Sequence, residues 1–487
     1  MAQFPLAKKA EQMSFKFIDD QGNQIGSTAL GRQVILEAVK NNKSAQATVS
    51  GLKSWRDDYL IAFRETAKAE LANDKAAFEV ARSGLAKFEK SVMTSNNVLL
   101  IDEIKDAWRL NKDLVSTVVV RGTGINKFAV PDATKEVQEH LAEPKVLDAL
   151  KDLSNANIQD DLLIALAGGA EYSPARTWLD WGGVTAIVAR NRKALWLELI
   201  QRARSSAGTL YVPVLKSRTD KNIQDLSDDE LAEVAGLDLT EDYVAIAGWL
   251  SSLARSETRR LVLGSFAYAP GVQHIEVQAV QHCLARVLTE NLPKSRVVLT
   301  WLATPTDSYA VSLEVLADIK ARYFKRTFLT KVRDVFFGVR ANNPEVFKTD
   351  NHESLCLIDS TSSLQGPSYA LAKRVQRWLA YEQVYADRGV AYLVSPPAKT
   401  YSVLSKKILK ATYKGAPAFG LKPFETKKAV DLSAALLLSQ LNNTERVKPM
   451  ASYLDLAVHG GLWRLIYSPK SVWRAATIKG IFALLSR

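Results

Sequence analysis

From about residue 160 onward, short β-rich apolar runs alternate with longer segments of helical periodicity, and this alternation constrains the fold most strongly. Parallel strands need long crossover connections, usually helices, so the alternation predicts an open, mostly parallel sheet with helices on its faces. The expected fold class is therefore α/β. We predict strands of this sheet at residues 162–166, 184–189, 209–215, 260–266, 297–302, 354–359 and 390–395.

The chain is long enough for more than one hydrophobic core, with 487 residues of which 47% are hydrophobic. Apolar residues at three- and four-residue spacing predict helices over roughly residues 30–115. The apolar run Val98–Glu103 ends in acidic residues, as does one strand of nucleotide hydrolases. Because no phosphate-binding loop accompanies it, we predict an apolar helix or strand without that function. We divide the chain into a helical N-terminal region (1–115), a connecting segment (116–159), the sheet domain (160–435) and a helical, basic C-terminal tail (436–487).

Charge and cysteine content limit the classes of partner and compartment. Sixty-four Lys and Arg face 52 Asp and Glu, and the net charge of +12 favours acidic partners. No nucleic-acid-binding motif is present, so nucleic acid is not expected. Cys283 and Cys356 cannot build a disulfide framework, and no long apolar stretch occurs, so we expect a cytoplasmic protein that does not span a membrane. The five histidines lack metal-ligand spacing, and no metal site is expected.

The first predicted strand runs into a turn of small residues that contains Gly168, Gly169 and Ser173. Small residues at such a turn let backbone amides approach a pyrophosphate, which favours a Rossmann-type dinucleotide site. Tyr172 and Pro174 stand where further glycines would fall, so an ordinary strand-to-helix turn is the other interpretation.

The next predicted strand ends in Arg190-Asn191-Arg192-Lys193, about twenty residues after the glycines. An acidic residue at this place would bind the ribose hydroxyls of NAD, whereas arginine favours the 2′-phosphate of NADP. A solvated basic loop is the alternative.

The stretch from Leu355 to Arg374 carries the strongest chemical signal. A buried strand leads into hydroxyl-bearing residues around Ser360, then a Gly-Pro turn, then a helix that holds Tyr369 and Lys373 four residues apart on one face. A nearby ammonium lowers the pKa of a tyrosine, as a general acid near neutral pH requires. A hydroxyl from the strand end could hold a carbonyl oxygen beside the phenol.

On these residues the chain resembles the short-chain dehydrogenase/reductase family, over roughly residues 160–435. The resemblance implies hydride transfer with NADP, with Tyr369 as proton donor, Lys373 lowering its pKa and holding the nicotinamide ribose, and Ser360 or a neighbour orienting the carbonyl. It implies that Thr400 contacts the nicotinamide amide. Gly168, Gly169 and Ser173 would face the pyrophosphate, and Arg190 or Arg192 the 2′-phosphate.

The segment from Val184 onward, after Trp181-Gly182-Gly183, is also similar to ketoacyl reductase domains of large fatty acid synthases. We therefore expect an NADPH-dependent carbonyl reductase, with a 3-oxoacyl thioester as one substrate class. Two departures from the family pattern are that Pro397 replaces a glycine and that Ser360 lies only nine residues before Tyr369. A catalytically degenerate Rossmann subunit that serves as a scaffold is the alternative.

Two basic segments suggest partners. Residues 399–428 contain eight lysines and one acid, Glu425, which suits a coenzyme A substrate or an acidic carrier protein that brings the acyl group. Residues 468–487 contain four basic residues and no acid, which suits peripheral contact of the C-terminal tail with a membrane, or docking on the chain's own domain or on a partner subunit. An oligomer or a subunit of a larger complex is expected.

Overall fold

The computed structural model describes residues 14–350, 352–443 and 450–486. The first 13 residues of the region expected to be helical, residues 444–449 and the last residue of the basic tail lie outside the described residues. The strands are β1 Lys16–Ile18, β2 Gln24–Ile25, β3 Val92–Met93, β4 Val115–Arg121, β5 Asp161–Leu166, β6 Val184–Val188, β7 Thr209–Leu215, β8 Arg260–Ser265, β9 Val297–Ala303, β10 Ser308–Ser312, β11 Glu345–Lys348, β12 Ser354–Asp359 and β13 Gly389–Val394.

The helices follow the strands along most of the chain. They are α1 Ser27–Ala38, α2 Lys43–Ser50, α3 Trp55–Glu70, α4 Asp74–Lys90, α5 Leu100–Arg109, α6 Thr134–Gln138, α7 Lys145–Lys151, α8 Ala175–Asp180, α9 Lys193–Arg204, α10 Asp228–Val234, α11 Tyr243–Ser256, α12 Gln273–Asn291, α13 Leu313–Phe324, α14 Phe328–Phe337, α15 Pro367–Tyr385, α16 Tyr401–Leu404, α17 Lys407–Gly415, α18 Thr426–Asn442, α19 Met450–Leu454 and α20 Pro469–Leu485.

The central sheet has seven strands in the order β13-β9-β8-β5-β6-β7-β4. Six of them are parallel, and β4 pairs antiparallel with β7 at one edge. Alternate residues of β5 enter two separate hydrophobic clusters: Leu162 and Ile164 pack on one face of the sheet, Leu163 and Ala165 on the other. Burial on both faces explains why these strands are continuous apolar runs. The fold is therefore α/β with a mostly parallel sheet, as predicted.

The chain reverses its direction across the sheet after β7. It runs from β5 through β6 to β7 on one side, then returns to β8 beside β5 and continues to β9 and β13. This order is compatible with the 3-2-1-4-5-6 order of Rossmann-like sheets. In such sheets ligands bind outside the carboxyl ends of the strands at the reversal point, here between β5 and β8.

One predicted strand of the parallel sheet lies elsewhere. Residues 354–359 form β12, which pairs antiparallel with both β10 and β11 in a separate three-stranded sheet. This small sheet belongs to an insertion, residues 304–366, between β9 and α15. The prediction was wrong because a short apolar run shows that a strand is buried but not which partner it pairs with.

In the N-terminal half one prediction needs correction and another is confirmed. β4, the antiparallel edge strand, lies where the sequence predicts the end of the helical region and a connecting segment. The run Val98–Glu103, predicted as an apolar helix or strand, lies mostly in helix α5. Helices α1, α3 and α4 pack against α15, and Gly84 of α4 is required there, since a Cβ would lie 2.3 Å from the Trp378 ring. None of the helices in the described residues is long and apolar enough to cross a membrane.

Candidate functional site

Tyr369 and Lys373 lie on the first two turns of α15, where the helix starts beside the carboxyl end of β9. The turn before α15 needs Gly366, whose φ of +79° is in the left-handed region that glycine adopts most readily. Lys373 Nζ lies 5.8 Å from the centre of the Tyr369 ring. The structure therefore brings the predicted pair together on one helix face.

A series of hydroxyl groups leads from the surface to Tyr369. Thr304, the first residue after β9, lines the same cavity as Tyr369, and its side chain favours the phenolate. Thr304 Oγ1 lies 2.6 Å from Thr306 Oγ1, and Thr306 in turn donates to Oε1 of the exposed Gln365 at 2.6 Å. Burial raises the pKa of Tyr369 to about 12 even though the Thr304 side chain favours the phenolate, so the lowered pKa predicted from Lys373 is not found. The phenol is protonated at neutral pH and can donate a proton.

Lys373 is held by neutral groups. Its Nζ donates to the carbonyl oxygen of Leu302 at 2.9 Å and to Gln376 Oε1 at 3.1 Å. Gln376 Nε2 then donates to Gln278 Oε1 of α12 at 2.8 Å, which ties the lysine to the helix after β8. Burial lowers the pKa of Lys373 to about 8. In the described part of the chain no carboxylate pairs with it, and the third N–H of its ammonium remains available.

His274 packs against Tyr369 from α12. The two ring centres lie 5.2 Å apart with the rings nearly parallel. The backbone N–H of Ala269 donates to His274 Nδ1 at 3.1 Å, so the neutral ring carries its proton on Nε2. Burial, with a contribution from the Lys373 charge, lowers the pKa of His274 to about 3. This ring therefore supports Tyr369 as a neutral group.

A cavity of about 20 Å³ lies beside the Tyr369 side chain. Its polar lining includes Thr304, Thr306, Ser362 and Lys373. This volume holds about one water molecule. A substrate carbonyl would reach Tyr369 by entering this space.

Buried ion pairs fix α15 next to this cavity. Arg374 donates to Glu70 of α3 and to Asp307, both at 2.7 Å, and Arg377 lies 3.3 Å from Asp307. Arg374 and Arg377 are at most 2% exposed. Because both arginines follow Lys373 by about one helical turn or less, these pairs set the position of the Tyr369–Lys373 face of α15 against the sheet.

Ser360, the predicted carbonyl-orienting residue, points elsewhere. It is buried, and its Oγ lies 3.5 Å from the carbonyl oxygen of Leu462. Its neighbours Thr361 and Ser362 line the cavity. The hydroxyl that contacts Tyr369 comes instead from Thr304, because β9 and not β12 is the sheet strand next to β13.

The predicted dinucleotide turn follows β5 at the reversal point of the sheet. Gly168 N–H donates to Val188 O at 3.1 Å, and Cβ atoms on Gly168 and Gly169 would clash with Ile187 and Leu195. Both glycines are thus required by packing. Ser173 is buried, and its Oγ accepts from the Ala175 amide.

Three amides of the same turn, those of Gly169, Glu171 and Tyr172, donate no hydrogen bond within the described residues. Unpaired amides of this kind are suitable donors to an anion. They are the feature of the turn that favours phosphate binding over a purely structural role.

Two contacts bridge the crevice in front of this turn. The Tyr172 hydroxyl donates to Pro396 O at 3.0 Å, and Glu171 Oε2 accepts from the Tyr401 amide at 2.8 Å. Thr400 caps α16 next to the second contact, and its Oγ1 lies 3.0 Å from Ser402 Oγ. The loop after β13 is thus drawn onto the turn after β5.

The two candidate arginines after β6 are both exposed but differ in partners. Arg190 forms an ion pair with Asp238 at 2.7 Å. Arg192 has no ion-pair partner in the described part of the chain. Of the two, Arg192 is the one free to meet a phosphate.

Sequence reasoning missed Thr304, Gln278, Gln376 and His274. Thr304 directly follows a correctly predicted strand, and that position could have identified it. Gln376 lies three residues after Lys373 and shares its helix face, which is also readable from the sequence. Gln278 and His274 depend on how α12 packs on α15, which no sequence spacing reveals.

The fold and the site together define an α/β protein with a mostly parallel seven-stranded sheet and a tyrosine–lysine pair at the edge where the strands end. No protein-family model matches the chain, and no curated protein is significantly similar to it in sequence.

Proposed function

We propose that this protein is an NADPH-dependent carbonyl reductase of the short-chain dehydrogenase/reductase type. The observation that carries the proposal is that Tyr369, Thr304 and Lys373 line one cavity, with Lys373 Nζ 5.8 Å from the centre of the Tyr369 ring and hydrogen-bonded to the carbonyl of Leu302. A protonated phenol, a hydroxyl and an ammonium at one cavity form a site that can polarise a carbonyl and give it a proton. A 3-oxoacyl thioester is the substrate class to test first.

The residues around the crevice fit a phosphorylated dinucleotide. The unpaired amides of Gly169, Glu171 and Tyr172 are suited to the pyrophosphate, the remaining N–H of Lys373 to the nicotinamide ribose, and Arg192 to the 2′-phosphate. The bridges made by Glu171 and Tyr172 would open when this cofactor binds. NADPH, when bound, supplies the hydride.

The protein's own side chains would donate the proton to the carbonyl oxygen and then reprotonate Tyr369. Thr304 and Tyr369 orient the carbonyl oxygen, and Tyr369 donates its proton to that oxygen as negative charge develops there. Thr304 and Thr306 can then pass a proton from the surface at Gln365 back to the phenolate, since each hydroxyl both donates and accepts. The Lys373 ammonium stabilises the phenolate in the interval.

A paired substitution tests this assignment. Tyr369→Phe removes the hydroxyl, and we expect NADPH oxidation with 3-oxoacyl thioesters to fall by about 10³-fold or more, since general acid catalysis contributes about 10²–10⁴-fold. Tyr385→Phe is the matched control, because Tyr385 lies on the same helix, is half-exposed and stacks on Phe78 with the ring centres 3.9 Å apart. Full activity in Tyr369→Phe would refute the catalytic assignment.

A second candidate function is supported by the crevice contacts. Because Tyr172 and Glu171 join the turn after β5 to the loop after β13, the crevice is closed by the protein's own groups. A chain that kept this closure permanently would be a degenerate Rossmann subunit that serves as a scaffold within a complex. Absence of nucleotide binding would favour this function.

We also propose a cytoplasmic location. Cys283 and Cys356 are buried free thiols, which suits a reducing compartment.

A further inference from the structure

The protein's net positive charge lies on a few helices. Three segments, residues 321–340, 401–424 and 468–486, hold α14, α16, α17 and α20 and contain 14 Lys and Arg against one acid, Asp334. Their net charge is +13, so the remainder of the chain carries 12 − 13 = −1. We call the exposed side of these segments the cationic-apolar surface. Nine of its exposed basic residues have no ion-pair partner among the described residues: Lys325, Lys331, Arg340, Lys406, Lys407, Lys410, Lys414, Arg474 and Lys479.

The same segments expose large apolar side chains. On α14, Phe328, Val332, Val335 and Phe336 follow the spacing of a single helix face and are 52–84% exposed. On the opposite face Asp334 is 3% exposed and ion-pairs with arginines, and Phe337 is half-buried against Phe419. The helix thus exposes four large apolar side chains on one face, whereas an ordinary surface helix buries its apolar face. Other exposed apolar residues of the surface are Phe324, Leu329, Tyr401, Leu404, Ile408, Ile481, Phe482, Leu484 and Leu485.

Close packing joins the helices into one unit. Gly415 of α17 lies against Ala476, and Gly480 of α20 against Ala411, so closely that a Cβ on either glycine would clash. These pairs show that α17 and α20 run antiparallel, which places Ile408 beside the apolar end of α20. The chain after α14 also contacts α20, since Arg340 O accepts from the Ser468 amide at 2.8 Å.

We propose that the cationic-apolar surface binds the interface of an anionic lipid bilayer. Basic residues without counter-ions attract anionic headgroups, and exposed Phe, Leu and Ile side chains can enter the boundary between headgroups and acyl chains. This goes beyond the C-terminal tail, because α14 and α17 contribute as much as α20. It is independent of the proposed reductase activity.

Two other occupants fit less well. A second copy of this surface would bring a charge of +13 against +13, which opposes self-association through this face. A folded acidic protein would neutralise the lysines, but its surface would also have to be complementary in shape to the apolar side chains that project here. Projecting apolar side chains are better suited to a fluid bilayer.

Co-sedimentation of the full chain with vesicles tests the proposal. We expect binding to vesicles of phosphatidylcholine with about 30% phosphatidylserine, weak binding to pure phosphatidylcholine, and release as salt rises from about 0.1 to 0.5 M. Lys407→Glu/Lys410→Glu should weaken the partition coefficient by roughly tenfold or more, since each basic residue near the surface contributes about 1 kcal/mol. Phe328→Ser/Phe336→Ser should weaken it comparably.

The matched controls replace exposed residues elsewhere in the chain. Lys43→Glu/Lys53→Glu is the control for charge, and Leu110→Ser/Ile125→Ser is the control for apolar area. Both should bind vesicles as the unchanged chain does. Equal loss in the controls and the surface variants would overturn the proposal, and so would absence of binding to anionic vesicles. Binding to soluble polyglutamate without vesicle binding would instead identify the surface as a site for an acidic protein.

Discussion

Lys373 Nζ lies 2.9 Å from the carbonyl oxygen of Leu302, two residues before Thr304. This hydrogen bond joins the helix that carries the lysine to the strand whose end supplies the hydroxyl beside Tyr369. It places three chemical groups from α15 and β9 around one cavity without a charged partner for the lysine. Because the ammonium is buried, its pKa is lowered.

The pH dependence of reduction should reflect Lys373. Burial lowers its pKa to about 8, so the ammonium form prevails below that pH and is lost above it. Because the ammonium stabilises the Tyr369 phenolate, we expect the reduction rate to fall as pH rises through about 8. Lys373→Arg keeps a positive charge at all accessible pH values, and its pH–rate profile should lack this decline. The same decline in the arginine variant would assign it to another group.

Thr304 and Ser360 should differ sharply when their hydroxyls are removed. Thr304→Val deletes the group in contact with Tyr369, and we expect kcat to fall by roughly 10²-fold, the usual effect of losing one donor at a developing oxyanion. Ser360→Ala deletes a hydroxyl that faces Leu462 and should leave kcat within about threefold of the unchanged enzyme. Steady-state kinetics of both variants check this. The opposite ranking would restore Ser360 to the role predicted from the sequence.

The buried ion pairs of α15 should contribute to stability. Glu70→Gln removes one of the two carboxylates that pair with Arg374 at 2.7 Å, and we expect the free energy of unfolding to fall by about 3 kcal/mol, measured by urea denaturation. The control is Lys68→Met on the same helix, whose exposed pair with Glu345 at 2.8 Å should matter by less than about 0.5 kcal/mol. Similar effects of the two substitutions would show that the buried pairs have no special role.

The sequence predicted the parallel sheet well because its strands are buried on both faces. Such strands become unbroken apolar runs, and β5, β6, β7, β8, β9 and β13 all appeared in this way. β4 was not predicted, because it is an edge strand with a mixed burial pattern and follows a helical region. Its apolar pattern was too weak to outweigh its position after a series of helices.

The site was predicted only in part. Tyr369 and Lys373 were found because a four-residue spacing fixes a shared helix face whatever the tertiary structure. Ser360 was paired with them because it precedes them in sequence after an apparent sheet strand. The insertion of residues 304–366 separates sequence order from spatial order, and it lets Thr304 take the place next to Tyr369. Sequence spacing carries no information on such a replacement.

Titration of the purified chain with NADPH and NADH, followed by energy transfer from tryptophan, tests the proposed function most directly. We predict saturable binding with NADPH preferred by about tenfold or more, since hydrogen bonds to a charged group contribute about 1.5–3 kcal/mol. Arg192→Ala should abolish the preference while Arg190→Ala, already paired with Asp238, should keep it. Binding of neither nucleotide at millimolar concentration would contradict the reductase and favour the closed scaffold.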